Sequence, residues 1–391
     1  MKTRQMNFAE ETKNFLSTIV PDYFLSLQNR DIPPRIASAI PRIAVLGTDI
    51  PEIYLRAAGS DPVYIPESLY ATSEYAEKNF PQICDPAIRS AVSYLTKGSI
   101  KTSDFGAVAL SDACMDARKA SQFLKSYGFP VIMLEEGPAL ASDLTDTCRY
   151  HHNRFLKQLE PVTGHKITRV SLRDAARRIT AAHKLLDAVS SLSVPQTAVD
   201  YICQTYYMAD DKDEWMMQVQ HFIKAHPQKQ VEENKLLLIG SPIYFPNIKL
   251  PKILSDLGMT HYENRCGVRI PPDYSSAFQG TMSVPAVLKT IQEIHYKKAK
   301  SDPAIQIIDD DCSLDRYQGV IYHVLKGQLN YAYEAERLEK AAIKTGTPFV
   351  CIETDYTNAD AEQIRIHLEA FSELLKSDPS HKRSILKGEL S

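Results

Sequence analysis

The sequence lacks both an apolar run long enough to cross a membrane and a large excess of either charge. A membrane helix needs about 18 consecutive apolar residues, and no such run occurs. The 45 basic and 48 acidic side chains leave a formal charge of -3, so neither nucleic acid nor an anionic membrane is expected as a partner. Residues 1–20 contain acids and no apolar signal core, and we therefore expect a cytoplasmic protein.

Paired cysteines and the common catalytic motifs are also missing. The sequence contains no CxxC pair, GxxxxGK[ST] phosphate loop, GxGxxG turn, HExxH helix or GxSxG elbow. The adjacent His151 and His152 point about 100 degrees apart on a helix, with no acidic or cysteine residue one turn further on. We interpret that pair as surface or core histidines and not as metal ligands.

The pattern of short apolar segments indicates two α/β domains in the 391 residues. These segments alternate with helical stretches, an arrangement typical of parallel sheets covered by helices. The predicted strands are 41–47, 61–65, 107–112, 130–134, a segment beginning at 235, 319–325 and 348–355, with helices at 331–346 and 360–375. Gly346 and Pro348 fit a helix C-cap and stop.

Helical periodicity dominates the N-terminus and the middle of the chain, and residues 225–235 are polar enough for a linker. The predicted division is a helical leader (1–40), a first α/β domain (41–160), a helical section (161–230) and a second α/β domain (231–391). The predicted fold class is thus two Rossmann-like or flavodoxin-like parallel-sheet domains with helical N-terminal and middle sections.

Three of the seven cysteines stand where ligands gather in α/β proteins, at strand ends and helix starts. Cys114 follows a predicted strand and begins a helix, Cys266 follows another, and Cys84 precedes Pro86 at a helix start. A helix N-terminus favours a thiolate, the form that binds metal. The alternative is that each is a small buried residue, as we expect for Cys148 and Cys203 in helices and Cys351 in a buried strand. Cys312 lies in an exposed-looking loop with no obvious partner.

Several segments together resemble the family of 2-hydroxyacyl-CoA dehydratase subunits, which includes benzoyl-CoA reductase subunits. They follow the family's order and cover most of the chain outside the helical middle. The most distinctive is IETDY, followed by Gln363 and Arg365. The similar stretches are 47–67, 84–95, 111–124, 238–258, 261–267, 319–338 and 348–371.

The resemblance implies that Cys84, Cys114 and Cys266 hold a [4Fe-4S] cluster, with one iron left open. It also implies an acyl-CoA substrate, a second homologous subunit in a heterodimer, and a separate ATP-dependent [4Fe-4S] activator. The activator delivers one electron, and the resulting ketyl radical anion loses its hydroxyl. Radical formation is needed because the β-proton is otherwise too weakly acidic for an ordinary base.

Two further residues follow from the resemblance. Thr48 is expected to hydrogen-bond the thioester carbonyl or the substrate hydroxyl, and Glu67 to act as a base or to orient the leaving hydroxyl. The alternatives are that Thr48 only shapes a turn and that Glu67 is solvated. Arg89, Arg118, Lys119 and Lys249 could bind CoA or could be ordinary surface cations.

The sequence departs from the family pattern at two places. Met115 and Asp116 follow Cys114 where many members have CDG, which leaves open whether this subunit binds substrate or relays electrons. Gln328 stands where many members have a further cysteine, which favours one [4Fe-4S] cluster over a double cubane. A benzoyl-CoA reductase-type subunit, a non-catalytic cluster-carrying subunit and a two-domain binding protein are the alternative functions.

Overall fold

The computed structural model describes most of the chain, including both predicted sheets and the helices around them. The described residues are 2–28, 40–47, 49–68, 74–80, 84–112, 115–135, 144–229, 236–244, 247–266, 270–280, 282–300 and 314–376.

Two four-stranded parallel sheets form the centre of the protein, which confirms the predicted α/β class. The first sheet has the order β2-β1-β3-β4 and the second the order β6-β5-β7-β8, so the two units have the same topology. The strands are β1 Arg42–Leu46, β2 Asp61–Tyr64, β3 Ala107–Ser111, β4 Val131–Leu134, β5 Leu236–Gly240, β6 Tyr262–Asn264, β7 Val320–Leu325 and β8 Phe349–Thr354.

Helices cover both faces of these sheets and form a separate bundle beside them. The helices of the described residues are α1 Lys2–Ser17, α2 Asp22–Gln28, α3 Glu52–Ala57, α4 Glu74–Asn79, α5 Pro86–Leu95, α6 Met115–Tyr127, α7 Leu144–Thr163, α8 Arg169–Ser190, α9 Gln196–Met208, α10 Lys212–Ala225, α11 Lys249–Asp256, α12 Val284–Lys300, α13 Leu329–Thr345 and α14 Ala361–Lys376. The predicted C-cap after α13 is confirmed, since Gly346 adopts a left-handed conformation with φ 70°.

The inner strands are buried on both faces because helices pack on each side of a parallel sheet. Alternate residues of β1 point to opposite sides, so Ile43 packs with α3, α7 and α8 while Ala44 packs with α5 and α6. Helix α12 also joins the first of these cores, through Val287 and Ile291. The first sheet is therefore covered in part by residues far along the chain.

The leader helices belong to the helical bundle of the middle section. Phe24 of α2 is 1% exposed and meets Phe222 of α10 edge-to-face, with ring centroids 6.3 Å apart. In the same core the indole N–H of Trp215 donates to Thr205 Oγ1 at 3.0 Å. The predicted boundaries at 40, 160 and 230 stay predictions.

None of the described helices combines the length and the apolar character that crossing a membrane requires.

We expect Phe24→Ala to lower the free energy of unfolding by about 3–5 kcal/mol, because it leaves a cavity between α2 and α10. Urea unfolding followed by circular dichroism measures this change. The control is Met217→Ala on α10, where the side chain is 46% exposed and the expected change is within about 0.5 kcal/mol. Equal effects of the two substitutions would show that the leader does not pack on the bundle.

Candidate functional site

The loops that follow the strands of the two sheets contact each other, and we call the region where these loops meet the cleft. Gln328, directly after β7, donates from Nε2 to Asp85 Oδ1 and Oδ2 at 3.2 and 3.1 Å. The backbone N–H of Asn247 donates to Ser68 Oγ at 3.3 Å. Ligands of open α/β sheets bind at the carboxyl ends of strands, so this cleft is the candidate site.

Cys84 lies at the start of α5, in a segment that hydrogen bonds hold in place. Asp85 caps the helix by accepting the N–H of Ala87 at 2.9 Å, and Pro86 occupies the first helical turn. The backbone N–H of Asp85 donates to Asp116 Oδ2 at 2.7 Å. Burial, and then the neighbouring Asp116, raise the pKa of the Cys84 thiol. The direction of this shift is opposite to the thiolate expected at a helix start.

The turn after β7 packs directly on the Cys84 segment. Gly327 has φ +100°, and a Cβ atom at this position would lie 2.9 Å from the carbonyl oxygen of Cys84 and 3.2 Å from Cδ of Pro86. Glycine is thus required both by the backbone conformation and by the close approach. A turn of the second unit therefore restricts the position of Cys84, which belongs to the first unit.

Cys266 follows β6 and is 1% exposed. Its backbone N–H donates to Asn264 Oδ1 at 2.8 Å, and its carbonyl oxygen accepts the N–H of Ile243 at 2.7 Å. Burial, and then the negative charge of Asp200, hold the pKa of the Cys266 thiol well above its usual value. The strand-end expectation for Cys266 is confirmed, and the residue is held as a neutral thiol.

Glu67 follows β2 and is buried in the cleft, so the alternative of a solvated side chain is wrong. Burial raises the pKa of its carboxyl group to about 8, and the nearby Asp85 and Asp49 contribute to the rise. The backbone N–H of Gly47, at the end of β1, opposes the rise by hydrogen bonding. At neutral pH the carboxyl group is mostly protonated and can donate a hydrogen bond.

Two tyrosines of the second unit complete the cleft. Burial raises the pKa of both Tyr244 and Tyr356 well above the usual value, and the charge of Glu67 adds to each rise. Tyr244 follows β5 and Tyr356 follows β8. The hydroxyl of Tyr356 is buried and has no hydrogen-bond partner among the described residues. It is therefore a donor that a ligand in the cleft could use.

The loop that contains Tyr356 is held by Lys249, which is 1% exposed. Its Nζ donates to the carbonyl oxygens of Asp355 and Thr357 at 2.8 and 2.6 Å, and pairs with Asp360 Oδ1 at 2.5 Å. Both interpretations of Lys249, as a CoA-binding residue and as a surface cation, are wrong, because all its donors are used inside the protein. Arg118 is exposed and pairs with Asp112.

The remaining predicted residues have different outcomes. Thr48, Cys114 and Cys312 lie outside the described residues. Cys351 lies in β8 as predicted, but its side chain is exposed, because β8 is the edge strand of the second sheet. In the described ranges, no group of three or more His, Cys, Asp and Glu side chains is placed to hold a metal ion. His152 is buried against Tyr54, whose hydroxyl lies 3.0 Å from its Nδ1.

Sequence analysis missed several residues of the cleft, although most of them follow a strand. Tyr356 ends the distinctive IETDY segment, and Asp85 is next to the predicted ligand Cys84. The strand-end rule that selected the cysteines would have selected Tyr244 and Tyr356 as well. The partnership of Asp85 with Gln328 spans 243 residues of sequence, and no local pattern indicates it.

Comparison with known proteins identifies the family. The sequence profile of the 2-hydroxyglutaryl-CoA dehydratase D-component family matches residues 48–375. The chain belongs to this family. It is 22% identical over 353 residues to a proposed dehydratase subunit, YjiM, of Escherichia coli (strain K12), covering 86% of this chain and 92% of that protein. It is 24% identical over 234 residues to the (R)-phenyllactyl-CoA dehydratase beta subunit of Clostridium sporogenes, covering 56% and 61%.

Membership of the D-component family confirms the predicted resemblance and makes this chain a dehydratase-type subunit. A D-component implies a partner dehydratase subunit. The matched region includes every described strand except β1 and the described cleft residues from Asp49 onward.

We expect Gly327→Ala to lower the free energy of unfolding by about 2–4 kcal/mol, because the added Cβ strains the turn and meets the backbone of Cys84. The control is Gly346→Ala, where φ is +70° but no atom lies within 4 Å, so only about 1 kcal/mol of backbone strain is expected. Urea unfolding measures both changes. Equal losses would argue against the contact between the two units.

We expect Glu67→Gln to flatten the dependence of stability on pH. In the native protein the pKa of Glu67 is raised from 4.5 to about 8, so between these values the unfolded chain ionises and the folded chain does not. The contribution of Glu67 to the free energy of unfolding is complete below pH 4.5. Between pH 4.5 and about 8 this contribution falls by about 1.4 kcal/mol per pH unit. Urea unfolding at pH 5 and pH 8, with the exposed Glu339→Gln as control, measures the change. If the free energy of unfolding changes equally with pH in Glu67→Gln and Glu339→Gln, Glu67 is ionised in the folded protein.

Proposed function

We propose that this chain is a subunit of an iron–sulfur 2-hydroxyacyl-CoA dehydratase. The reaction is elimination of water from a 2-hydroxyacyl-CoA through a ketyl radical anion, after one-electron reduction by an ATP-dependent [4Fe-4S] activator protein. The observation that supports it most is that Cys84 and a protonated Glu67 lie where the loops of the two sheets meet, while Cys266 follows β6 at the same edge of the second sheet. Family membership supplies the reaction class.

The residues present fit a [4Fe-4S] cluster held by Cys84, Cys114 and Cys266. Iron–sulfur clusters are bound by cysteine thiolates, and the first and third of these residues are buried thiols at the carboxyl ends of different sheets. Their raised pKa values keep them protonated until a metal displaces the proton. Cys114 completes the set in this proposal. When bound, the cluster would supply electron relay and an iron open to an oxygen ligand.

The neutral carboxyl group of Glu67 has a defined role in this proposal. As a protonated acid it donates a hydrogen bond to the leaving 2-hydroxyl group and delivers a proton as that group departs. The hydroxyl of Tyr356, which has no partner in the described chain, donates to a second substrate oxygen. Thr48 is proposed to hydrogen-bond the thioester carbonyl or the substrate hydroxyl.

A second candidate function is a non-catalytic subunit that relays electrons while the partner subunit holds the acyl-CoA. The acidic character of the cleft favours it, because Asp49 and Asp85 flank Glu67 and would repel the phosphates of CoA. The buried cation Lys249 cannot offset that repulsion, since its donors are used by Asp355, Thr357 and Asp360.

The proposal is tested by anaerobic purification together with the partner subunit and the activator. We expect about four irons in this chain, and a loss of most of them in Cys84→Ser and Cys266→Ser. Cys351→Ser, at an exposed thiol remote from the strand ends, is the control and is expected to keep the iron. A colourless wild-type protein with intact cysteines would contradict both the catalytic function and the electron-relay function.

Turnover of a panel of 2-hydroxyacyl-CoA thioesters, with benzoyl-CoA included, then separates the two functions. If this chain binds the substrate, Glu67→Gln is expected to lower kcat by about 10²-fold or more while iron content is unchanged. If turnover is unchanged, Glu67 has no part in the reaction and the relay function is favoured. Reduction of benzoyl-CoA in place of dehydration would contradict the proposed reaction.

A further inference from the structure

One face of α9 presents polar side chains to the loops after β5 and β6. Gln196, Asp200 and Gln204 recur every four residues, so they lie on the same side of the helix. Helix α9 belongs to the helical middle section, to which neither the sequence nor the proposed function gives a role. All three residues nevertheless connect to the segment that contains Cys266.

The first connection passes through Asp200. One carboxylate oxygen, Oδ1, accepts the side-chain N–H of Gln196 at 2.9 Å, and the other, Oδ2, accepts Asn264 Nδ2 at 2.6 Å. These bonds fix the orientation of the Asn264 amide, because its nitrogen must face Asp200. Asn264 Oδ1 is then directed at the backbone N–H of Cys266, which donates to it at 2.8 Å.

The second connection passes through Gln204, which is 4% exposed. Its Nε2 donates to the carbonyl oxygen of Ile243 at 2.7 Å. The N–H of the same Ile243 donates to the carbonyl oxygen of Cys266, also at 2.7 Å. Both backbone polar groups of Cys266 are therefore linked to α9, each through one intermediate residue.

This arrangement is costly if it serves only to hold a helix against a sheet. Burial raises the pKa of the Asp200 carboxyl group to about 6, even though two amide groups donate to it. An apolar contact such as those of the neighbouring Val199 and Ile202 would hold the helix without placing a carboxylate in the interior. The polar face of α9 instead orients the partners of the two backbone hydrogen bonds of Cys266.

We propose that α9 positions Cys266 for metal ligation, with Asp200 and Gln204 as the positioning residues. The hydrogen bonds of these two residues reach Cys266 only through Asn264 and Ile243. Hydrogen bonds to both backbone groups of Cys266 leave its side chain a restricted set of directions, so Sγ is oriented before a metal arrives. The role in ligation rests on the proposed function, whereas the restraint on Cys266 does not.

The first test is the alkylation rate of Cys266 in the metal-free full chain, followed by site-resolved mass spectrometry. Asp200→Asn keeps one acceptor oxygen for two amide donors and removes the negative charge that strengthens both bonds, so the connection through Asn264 is weakened or lost. We expect alkylation of Cys266 to rise about 10-fold or more, the change that loss of a hydrogen bond to a charged group gives in a local opening equilibrium. The rate at Cys84 should stay the same.

The matched control is Asp187→Asn, which makes the same charge change on the exposed face of α8. Gln204→Met is the second variant, because it breaks the other connection without changing charge and keeps the test decisive if Asp200→Asn does not fold. An unchanged rate at Cys266 in either folded variant would overturn the inference.

Reciprocal substitution supplies a rescue. Asn264→Asp alone places two carboxylates face to face and is expected to raise the alkylation rate as Asp200→Asn does. Combined with Asp200→Asn it restores all three bonds and reverses only the one between positions 200 and 264, since the new amide at 200 accepts from Gln196 and donates to the new carboxylate at 264, which still accepts the Cys266 N–H. We expect the alkylation rate at Cys266 to return to within about 3-fold of wild type, because the double variant makes as many hydrogen bonds as the wild type. If the double variant does not restore the alkylation rate, the connection from Asp200 through Asn264 to Cys266 is contradicted.

Iron loading separates this inference from the proposed function. If wild type binds a cluster, Asp200→Asn should change its electron paramagnetic resonance spectrum and its reduction potential, and the double variant should restore both. Identical spectra and potentials in all variants would overturn the positioning role, while the cluster itself would stand. If wild type binds no iron but Asp200→Asn still exposes Cys266, the proposed function fails and the restraint on Cys266 is supported.

Discussion

The contact between the turn after β7 and the start of α5 joins the two sheets at the ends of their strands. Gly327 approaches the carbonyl oxygen of Cys84 so closely that no side chain fits, and Gln328 donates to both oxygens of Asp85. Because the two sheets have the same strand order, this contact brings equivalent edges together. The cleft, the burial of its side chains and their protonation states all depend on that approach.

Burial at the junction sets the chemistry of the cleft. Glu67 and the two cysteine thiols have raised pKa values because each group loses water, and at Cys84 the nearby Lys119 and Arg89 oppose the rise without cancelling it. The buried cation Lys249 is used to hold the loop of Tyr356. The buried thiols and acidic groups are compatible with the proposed metal site, because a bound metal can displace their protons.

Much of the fold could be predicted because its strands are short, continuous and apolar. The segments RIAVL, AVALS and LLLIG need no tertiary information to be recognised as buried parallel strands. The packing of α12 on the first sheet could not be predicted, because Val287 and Ile291 would fit any apolar face. The exposure of Cys351 could not be predicted for a similar reason, since an edge strand and an inner strand can have the same composition.

The sequence by itself determined the strands, the helix caps and the places of Cys84, Cys266 and Glu67 after strands or before helices, because these depend on neighbours within a few residues. Only the tertiary structure decided that Gln328 meets Asp85 and that Asp200 of α9 reaches Asn264. It also decided that Glu67 is a neutral acid. Such contacts and pKa values depend on how much water the folded chain excludes, which is a property of the whole assembly of sheets and helices.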